Sequence, residues 1–580
     1  MSDPTDRIEA NRQLLVQAQE KGGGATLAAY FRLSGPGWLQ SAITLGGCSL
    51  AGALFIGALG GVEMLWLQLL AIIMGVIMLS AISYVTLSTG QRPFNAINQH
   101  INPALGWGWL IATSLANMIW CMPQFSLCFG ALSKNLVPGT IGESMGSKIA
   151  VSAAILVAVT CIVVLNARGG SAAKAFDWML KALVGLVVIC FFGAVFVLST
   201  QGVLNWGEIF AGFIPDFGQW TSPSGRVAEL IKGLPDSEQA FWTEGVVRQQ
   251  RARMIGAAAT AVGINMTFLM PYAILQRGWD KPFRGLARFD LMTGMAIPYI
   301  LVTSCVVIAS AHAFHGKADK EFLSADPNVF QKSDTFNGAK DRLMALVSPD
   351  IQEKKFDKAV ANMSEDGKQK LVGKMAAVSK EEKQIAASMV QRNAASLSKT
   401  LSPFIGDKFA NFAFGLGVFG MGFSTIIILM LINGFVFREA VGKPDSTAPY
   451  VLGCLIAGIV GAAWPLVWDG DSKFWLAIVA SSFGMMLLPI AYITFFMMMN
   501  SRSLMGDEKP TGVRMTCWNV LMGVSVIGAI AAAATAIYDK ITDTKNELAA
   551  QGGKVVLGML VVYVIIVVIG FVRKKKPSSN

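Results

Sequence analysis

Two stretches, Gly35-Pro36-Gly37-Trp38-Leu39…Leu45-Gly46-Gly47-Cys48-Ser49 and Asn265-Met266-Thr267-Phe268-Leu269-Met270-Pro271-Tyr272, interrupt apolar segments with Gly, Pro and small polar residues. In hydrocarbon an unwound backbone has no water to satisfy its amides and carbonyls. It persists only where it lines a cavity or coordinates something. Paired interruptions in corresponding halves of a chain are the best sequence pointer to a carrier's binding site. The two stretches therefore predict a small solute handled at two broken membrane helices.

The local chemistry of each stretch is suggestive and has a plainer reading beside it. Gly46 and Gly47 each cost a helix about 1 kcal/mol relative to Ala, which makes them a natural point of unwinding. Close packing of neighbouring backbones through Gly46, Gly52 and Gly57 explains the same residues. In the second stretch Pro271 removes an amide donor and frees a carbonyl one turn back, near Thr267. The interruptions lie five spans apart, as expected for the first helices of two inverted five-helix repeats.

Working outward, the whole chain of 580 residues is 53% hydrophobic and only 15% charged, with a mean hydropathy of +0.52. That composition fits a polytopic membrane protein and excludes an ordinary soluble domain. Apolar runs of about 20 residues, long enough to cross ~30 Å of hydrocarbon, recur roughly twelve times between residues 37 and 572. The formal net charge of +11 comes from Lys and Arg in short loops at the ends of these runs. Such placement reflects orientation in the membrane rather than nucleic-acid binding. With both termini cytosolic, the inside loops hold Arg92; Arg168 and Lys174; Arg277, Lys281, Arg284 and Arg288; Arg438 and Lys443; Arg502 and Lys509; and Arg573 to Lys576. This reading places the chain in the cell's inner membrane, against lipid, with its oligomeric state undetermined.

The expected organisation is a cytosolic tail at 1–34, a first repeat at 35–200, an extracytoplasmic loop at 201–254, a second repeat at 255–500, and two C-terminal helices with a basic tail at 501–580. The second repeat is interrupted by a soluble extracytoplasmic insertion at 313–403, which holds 15 Lys plus Arg against 12 Asp plus Glu and no Cys. Within it, Ser379-Lys380-Glu381-Glu382 reads as a capping box opening a helix through about Leu397. Glu353 to Ala361 and Lys368 to Ala377 read as shorter helices. The eight cysteines sit mostly in apolar segments without metal-ligand or disulfide spacing, so they are small buried hydrophobes, with Cys48 held open as a ligand. No nucleophile motif, P-loop or dinucleotide loop occurs in a plausible context, so neither an enzyme nor a cofactor is expected.

Gly35-Pro36-Gly37-Trp38-Leu39…Leu65-Trp66, the Met270-Pro271 pair, and Leu488-Pro489-Ile490…Ser501-Arg502-Ser503-Leu504-Met505-Gly506 together resemble the NRAMP divalent metal transporters. The resemblance implies an all-α, LeuT-like inverted-repeat fold. It also implies import of metals such as manganese and iron coupled to protons, through Asp-Pro-Gly-Asn in the first helix and Met-Pro-His in the sixth. Aligned without gaps, Asp-Pro-Gly-Asn falls on Gly46-Gly47-Cys48-Ser49, so the anionic ligand is missing. Of the family's ligand set Met270 remains as a thioether and Thr267 as a carbonyl, while the sixth helix's histidines become Tyr272 and Arg277. The third span's acidic residue becomes Gln124.

These departures shape the expected chemistry. A bare divalent cation at mid-membrane must recover a large desolvation cost, and neutral dipoles alone supply it poorly. Three cargoes remain: a largely hydrated ion, a soft ion on Cys48 and Met270 with Ser49 nearby, or an uncharged or anionic solute. A non-transporting receptor on the same fold is the fourth reading. Thr44, Gln124, Gln276 and Arg277 are expected along the pathway or its gates.

Overall fold

Gly46 adopts an extended backbone (φ −87°, ψ 178°), which splits the first span into α1 (Pro36–Thr44) and α2 (Gly47–Gly60). The computed structural model describes residues 4–167, 170–257, 261–351, 356–361, 363–392, 402, 406–467, 473–542 and 547–575. Among them all regular structure is helical. The chain continues through α3 (Trp66–Thr89), α4 (Pro103–Ala131), α5 (Met145–Ala167), α6 (Gly170–Thr200), α7 (Asp236–Ala257), α8 (Ile264–Gln276) and α9 (Ile297–Phe314). It ends with α10 (Asp407–Ala440), α11 (Thr447–Ala462), α12 (Lys473–Asn500), α13 (Gly512–Ile541) and α14 (Glu547–Lys575).

Ten helices among the described residues are long and apolar enough to cross a membrane. The other two of the twelve expected spans are the shorter apolar α11 and the broken α7–α8 pair.

The second break does not sit where the proline predicts. Pro271 lies inside α8, and the unwinding comes before Ile264, where Gly263 is extended (φ −85°, ψ 166°). Glycine leaves helical geometry without strain, and the Asn265 side-chain oxygen accepts from the Met266 amide at 2.9 Å. The helix thus restarts upstream, and a proline within it is tolerated as in other membrane helices.

The two broken spans meet in the core. Gln40 Nε2 on α1 donates to the Met266 carbonyl on α8 at 3.0 Å, and Ser310 Oγ on α9 donates to the Leu54 carbonyl on α2 at 2.6 Å. The start of α1 is capped from far along the chain. The fully buried Asp290 carboxylate accepts from the amides of Gly35 at 3.0 Å and Gly37 at 2.6 Å, and from Ser34 Oγ. An anion at a helix N-terminus satisfies orphan amides and opposes the dipole.

The insertion builds its own hydrophobic core. Phe322, Phe330, Phe336, Leu343, Val372, Met375 and Ile385 pack with Val227, Ile231, Trp242 and Val246 from the earlier long connection, and with Phe55 and Leu59 of α2. The two long connections are therefore one body seated on the end of the first span, and α7 runs from that core to the second break. The capping box forms as read: Ser379 and Glu382 exchange hydrogen bonds at the start of Lys380–Ser388. That helix stops at Ser388, and residues 393–397 lie outside the described residues, as do Arg168 and Lys576. Phe356–Val360 and Glu365–Ala376 are the two shorter helices.

Candidate substrate site

The two breaks enclose a cavity of about 60 Å³, lined among others by Thr44, Gly46, Cys48, Ser49, Gln124, Gly263, Asn265, Met266, Thr425 and Met485. A water needs roughly 10–15 Å³ on this measure, so there is room for about four waters, or for an ion with part of its shell. The donors are neutral. Among the described residues no carboxylate or histidine lines the cavity, and no three of His, Cys, Asp and Glu cluster.

The walls are held by backbone bonds that the breaks release. Ser49 Oγ donates to the Thr44 carbonyl at 2.6 Å, spanning the Gly46 break. The Gly47 amide donates to Gln124 Oε1 at 3.0 Å, which ties the start of α2 to α4. Thr425 Oγ1 lies 3.0 Å from the Ala42 carbonyl and 2.7 Å from that of Met421. Asn265 Nδ2 is buried without a hydrogen-bond partner, an orphan donor at the rim of the site. Three sulfur-bearing side chains, Cys48, Met266 and Met485, share the lining.

Of the residues singled out in the sequence, Thr44, Gly46, Cys48, Ser49 and Gln124 are brought together, with Gly47 bonded to Gln124 just behind them. Met270 is not among them. It is fully buried in the hydrophobic core, and Met266, one turn earlier, takes the position at the cavity. Thr267 does not line the cavity either; its hydroxyl accepts from Trp109 Nε1 at 3.0 Å. The correction follows from the position of the break. Gly263 and Met266 have the same spacing as Thr267 and Met270, and counting from the glycine rather than from Pro271 identifies the thioether that faces the site. Thr425 and Met485 carry no sequence signal, because each sits in a continuous helix.

Tyr272 lies beyond the cavity, on the face opposite the insertion. Its hydroxyl donates to Glu439 Oε2 at 3.1 Å and accepts from the Phe94 amide at 3.2 Å. Arg92 Nε donates to Glu439 Oε1 at 2.8 Å, and its guanidinium stands over the Tyr272 ring at 5.3 Å. Glu439 is almost wholly buried. The four residues tie the connection between α3 and α4 to α8 and to the end of α10. Gln276 is exposed, and Arg277 packs against Gly35 at the start of α1; neither reaches the cavity.

The model of the natural resistance-associated macrophage protein-like (Nramp) family matches residues 37–327 and 372–539. The chain belongs to the Nramp family. The unmatched residues 328–371 fall inside the insertion. Solved structures of an Eremococcus coleocola manganese transporter share the Nramp fold with this chain. A histidine-to-alanine mutant and a glutamate-to-glutamine mutant each give a TM-score of 0.63 at 14% identity, covering 95% of this chain and 96% of theirs. A complex with an aromatic bis-isothiourea compound gives 0.62 at 15% identity, with the same coverage. No curated protein is significantly similar in sequence.

Nramp membership makes the architecture an all-α, LeuT-like transporter fold and the chain a multi-pass membrane transporter rather than an enzyme. The Nramp scaffold here encloses a cavity without the acidic ligand that the resemblance implies at position 46.

Proposed function

We propose that this chain is a secondary carrier of a metal ion whose selectivity is shifted away from bare hard divalent ions and whose flux is not driven by protons. The observation that carries the reading is the cavity at the two helix breaks, lined among the described residues by neutral oxygen and sulfur donors and by no carboxylate. Two kinds of ion fit such donors. A soft ion such as Cu⁺ takes thiolate and thioether ligands, which Cys48, Met266 and Met485 supply. A Mg²⁺ ion that keeps several waters needs only dipoles around it, and Thr44, Ser49, Gln124 and Asn265 offer those. Carriage of an uncharged solute is the second reading, favoured by the same absence of charge.

The positive-inside reading puts both termini in the cytosol of an inner-membrane protein and the insertion outside. The Tyr272–Glu439–Arg92 cluster is then an inner gate, and Asp290 a latch on α1. Alternating access requires both to release. Uptake of Mn²⁺, Mg²⁺ and Cu⁺ into liposomes, with and without a pH gradient, tests the reading. Saturable flux of Cu⁺ or Mg²⁺ that ignores the gradient supports it, and silence across all three ions moves the assignment to an uncharged solute.

A further inference from the structure

Next to the candidate site lies a second cavity of about 170 Å³, which shares Cys48, Ser49 and Met485 with it and extends to Arg253, Gln391, Asp539 and Lys540. It runs toward the insertion face, because Arg253 lies on α7, which continues into the insertion core, and Gln391 belongs to the insertion itself.

Arg253 is the unusual residue. Its guanidinium stacks on Phe55 of α2 at 4.5 Å, and its Nε is buried without a hydrogen-bond partner. Gln391 Oε1 is buried and unpartnered in the same wall. Among the described residues no ion pair to Arg253 is found. Arg253 and Lys540 oppose the single carboxylate of Asp539, so the lining is net positive. A guanidinium presents a planar fork of donors matched to carboxylate and phosphate oxygens. On the approach to a cation site, a fixed positive charge hinders the free ion unless something negative accompanies it.

We propose that this vestibule binds a small oxyanion, a carboxylate or phosphate group, on Arg253, held by the guanidinium donors left over from the stack on Phe55. Lys540 adds attraction and Asp539 limits affinity. The assignment does not depend on what the deeper cavity carries. It holds for an anion arriving alone and for one arriving as the ligand of a metal complex.

The test is thermal unfolding of the purified full chain titrated with phosphate, citrate and acetate, with chloride at matched ionic strength as the reference. Saturable stabilisation by phosphate or citrate beyond that of chloride, lost in Arg253→Gln and weakened in Arg253→Lys, is the expected result. Citrate acting only with added Mg²⁺ identifies a metal complex as the source, and citrate or phosphate acting alone identifies the free anion; either supports the site. Equal shifts by chloride and the oxyanions, or a phosphate response unchanged in Arg253→Gln, overturn it. Should Arg253→Gln fail to fold, Asp539→Asn decides, because removing the facing negative charge must tighten phosphate binding by about threefold or more. Unchanged affinity in that variant also overturns the proposal.

Discussion

Thr44 Oγ1 lies 3.5 Å from Met266 Sδ, across 222 positions of sequence. This contact joins the last residue of α1 to the first turn of α8, so both helix breaks meet at one thioether. Met266 is consequently both a wall of the cavity and a link between the two broken spans.

Met266→Ala and Met270→Ala should separate site from core. Met270 is fully buried, and truncating a buried methionine costs roughly 2–5 kcal/mol of stability. Met270→Ala should therefore lower the unfolding temperature while leaving ion preference intact. Met266→Ala should reduce transport or binding of a soft ion tenfold or so. Cys48→Ala should do the same, and neither should greatly change a hydrated ion. Radiotracer flux with thermal unfolding on the same preparations checks both, and a selectivity change in Met270→Ala would count against the site described above.

Restoring an acidic ligand requires making room for it. A side chain at Gly46 meets Thr425, the nearest approach being 2.9 Å between its Cβ and Thr425 Oγ1. Gly46→Asp with Thr425→Ala should raise Mn²⁺ affinity by about tenfold, and Gly46→Asp alone should gain less. Mn²⁺ binding by calorimetry measures both, and equal, negligible gains would mean that the neighbouring ligands are misplaced as well.

How much of this was legible beforehand depends on what each feature owes to local sequence. The Gly46 break and the Ser379 capping box are written in neighbouring residues, and each forms where the local sequence puts it. Pro271 predicts the second break one turn or more too late, because proline is the louder signal and Gly263 the residue whose backbone extends. Asp290 and Glu439 gave no local sign at all. Asp290 caps amides more than 250 positions away, and Glu439, at the end of α10, meets Arg92 in the connection between α3 and α4, 347 positions away. Long-range polar contacts of this kind follow from topology and are invisible to periodicity.

The Glu439 cluster predicts an ordered series. Tyr272→Phe removes two hydrogen bonds, each worth about 0.5–1.5 kcal/mol. Arg92→Leu leaves a buried carboxylate without its cation, which costs about 3–5 kcal/mol when both partners are buried; the partly exposed Arg92 side chain reduces that figure. Accessibility of a cysteine placed near this cluster should rise modestly in the first variant and strongly in the second. Equal accessibility in both would remove the cluster's role as a gate.

His315, just beyond α9, makes stability depend on pH. Burial pushes its imidazole down to about 4, while Nδ1 is 3.1 Å from the Ala58 carbonyl and Nε2 is buried without a partner. The folded state holds the neutral ring, so stability is full above the ordinary value near 6.5, declines as pH falls below it, and levels off below about 4. At pH 5 the loss should be on the order of 2 kcal/mol. Denaturant unfolding at pH 7.5 and 5 should show the difference in the native chain and a smaller one in His315→Gln.

The most direct test of the central claim is ion uptake by the unmodified protein in liposomes with an imposed pH gradient. A neutral site predicts saturable Cu⁺ or Mg²⁺ flux that is indifferent to the gradient, with Mn²⁺ far slower. Rapid Mn²⁺ uptake driven by the proton gradient would contradict it, because among the described residues the cavity between Gly46 and Met266 is lined by no carboxylate or histidine.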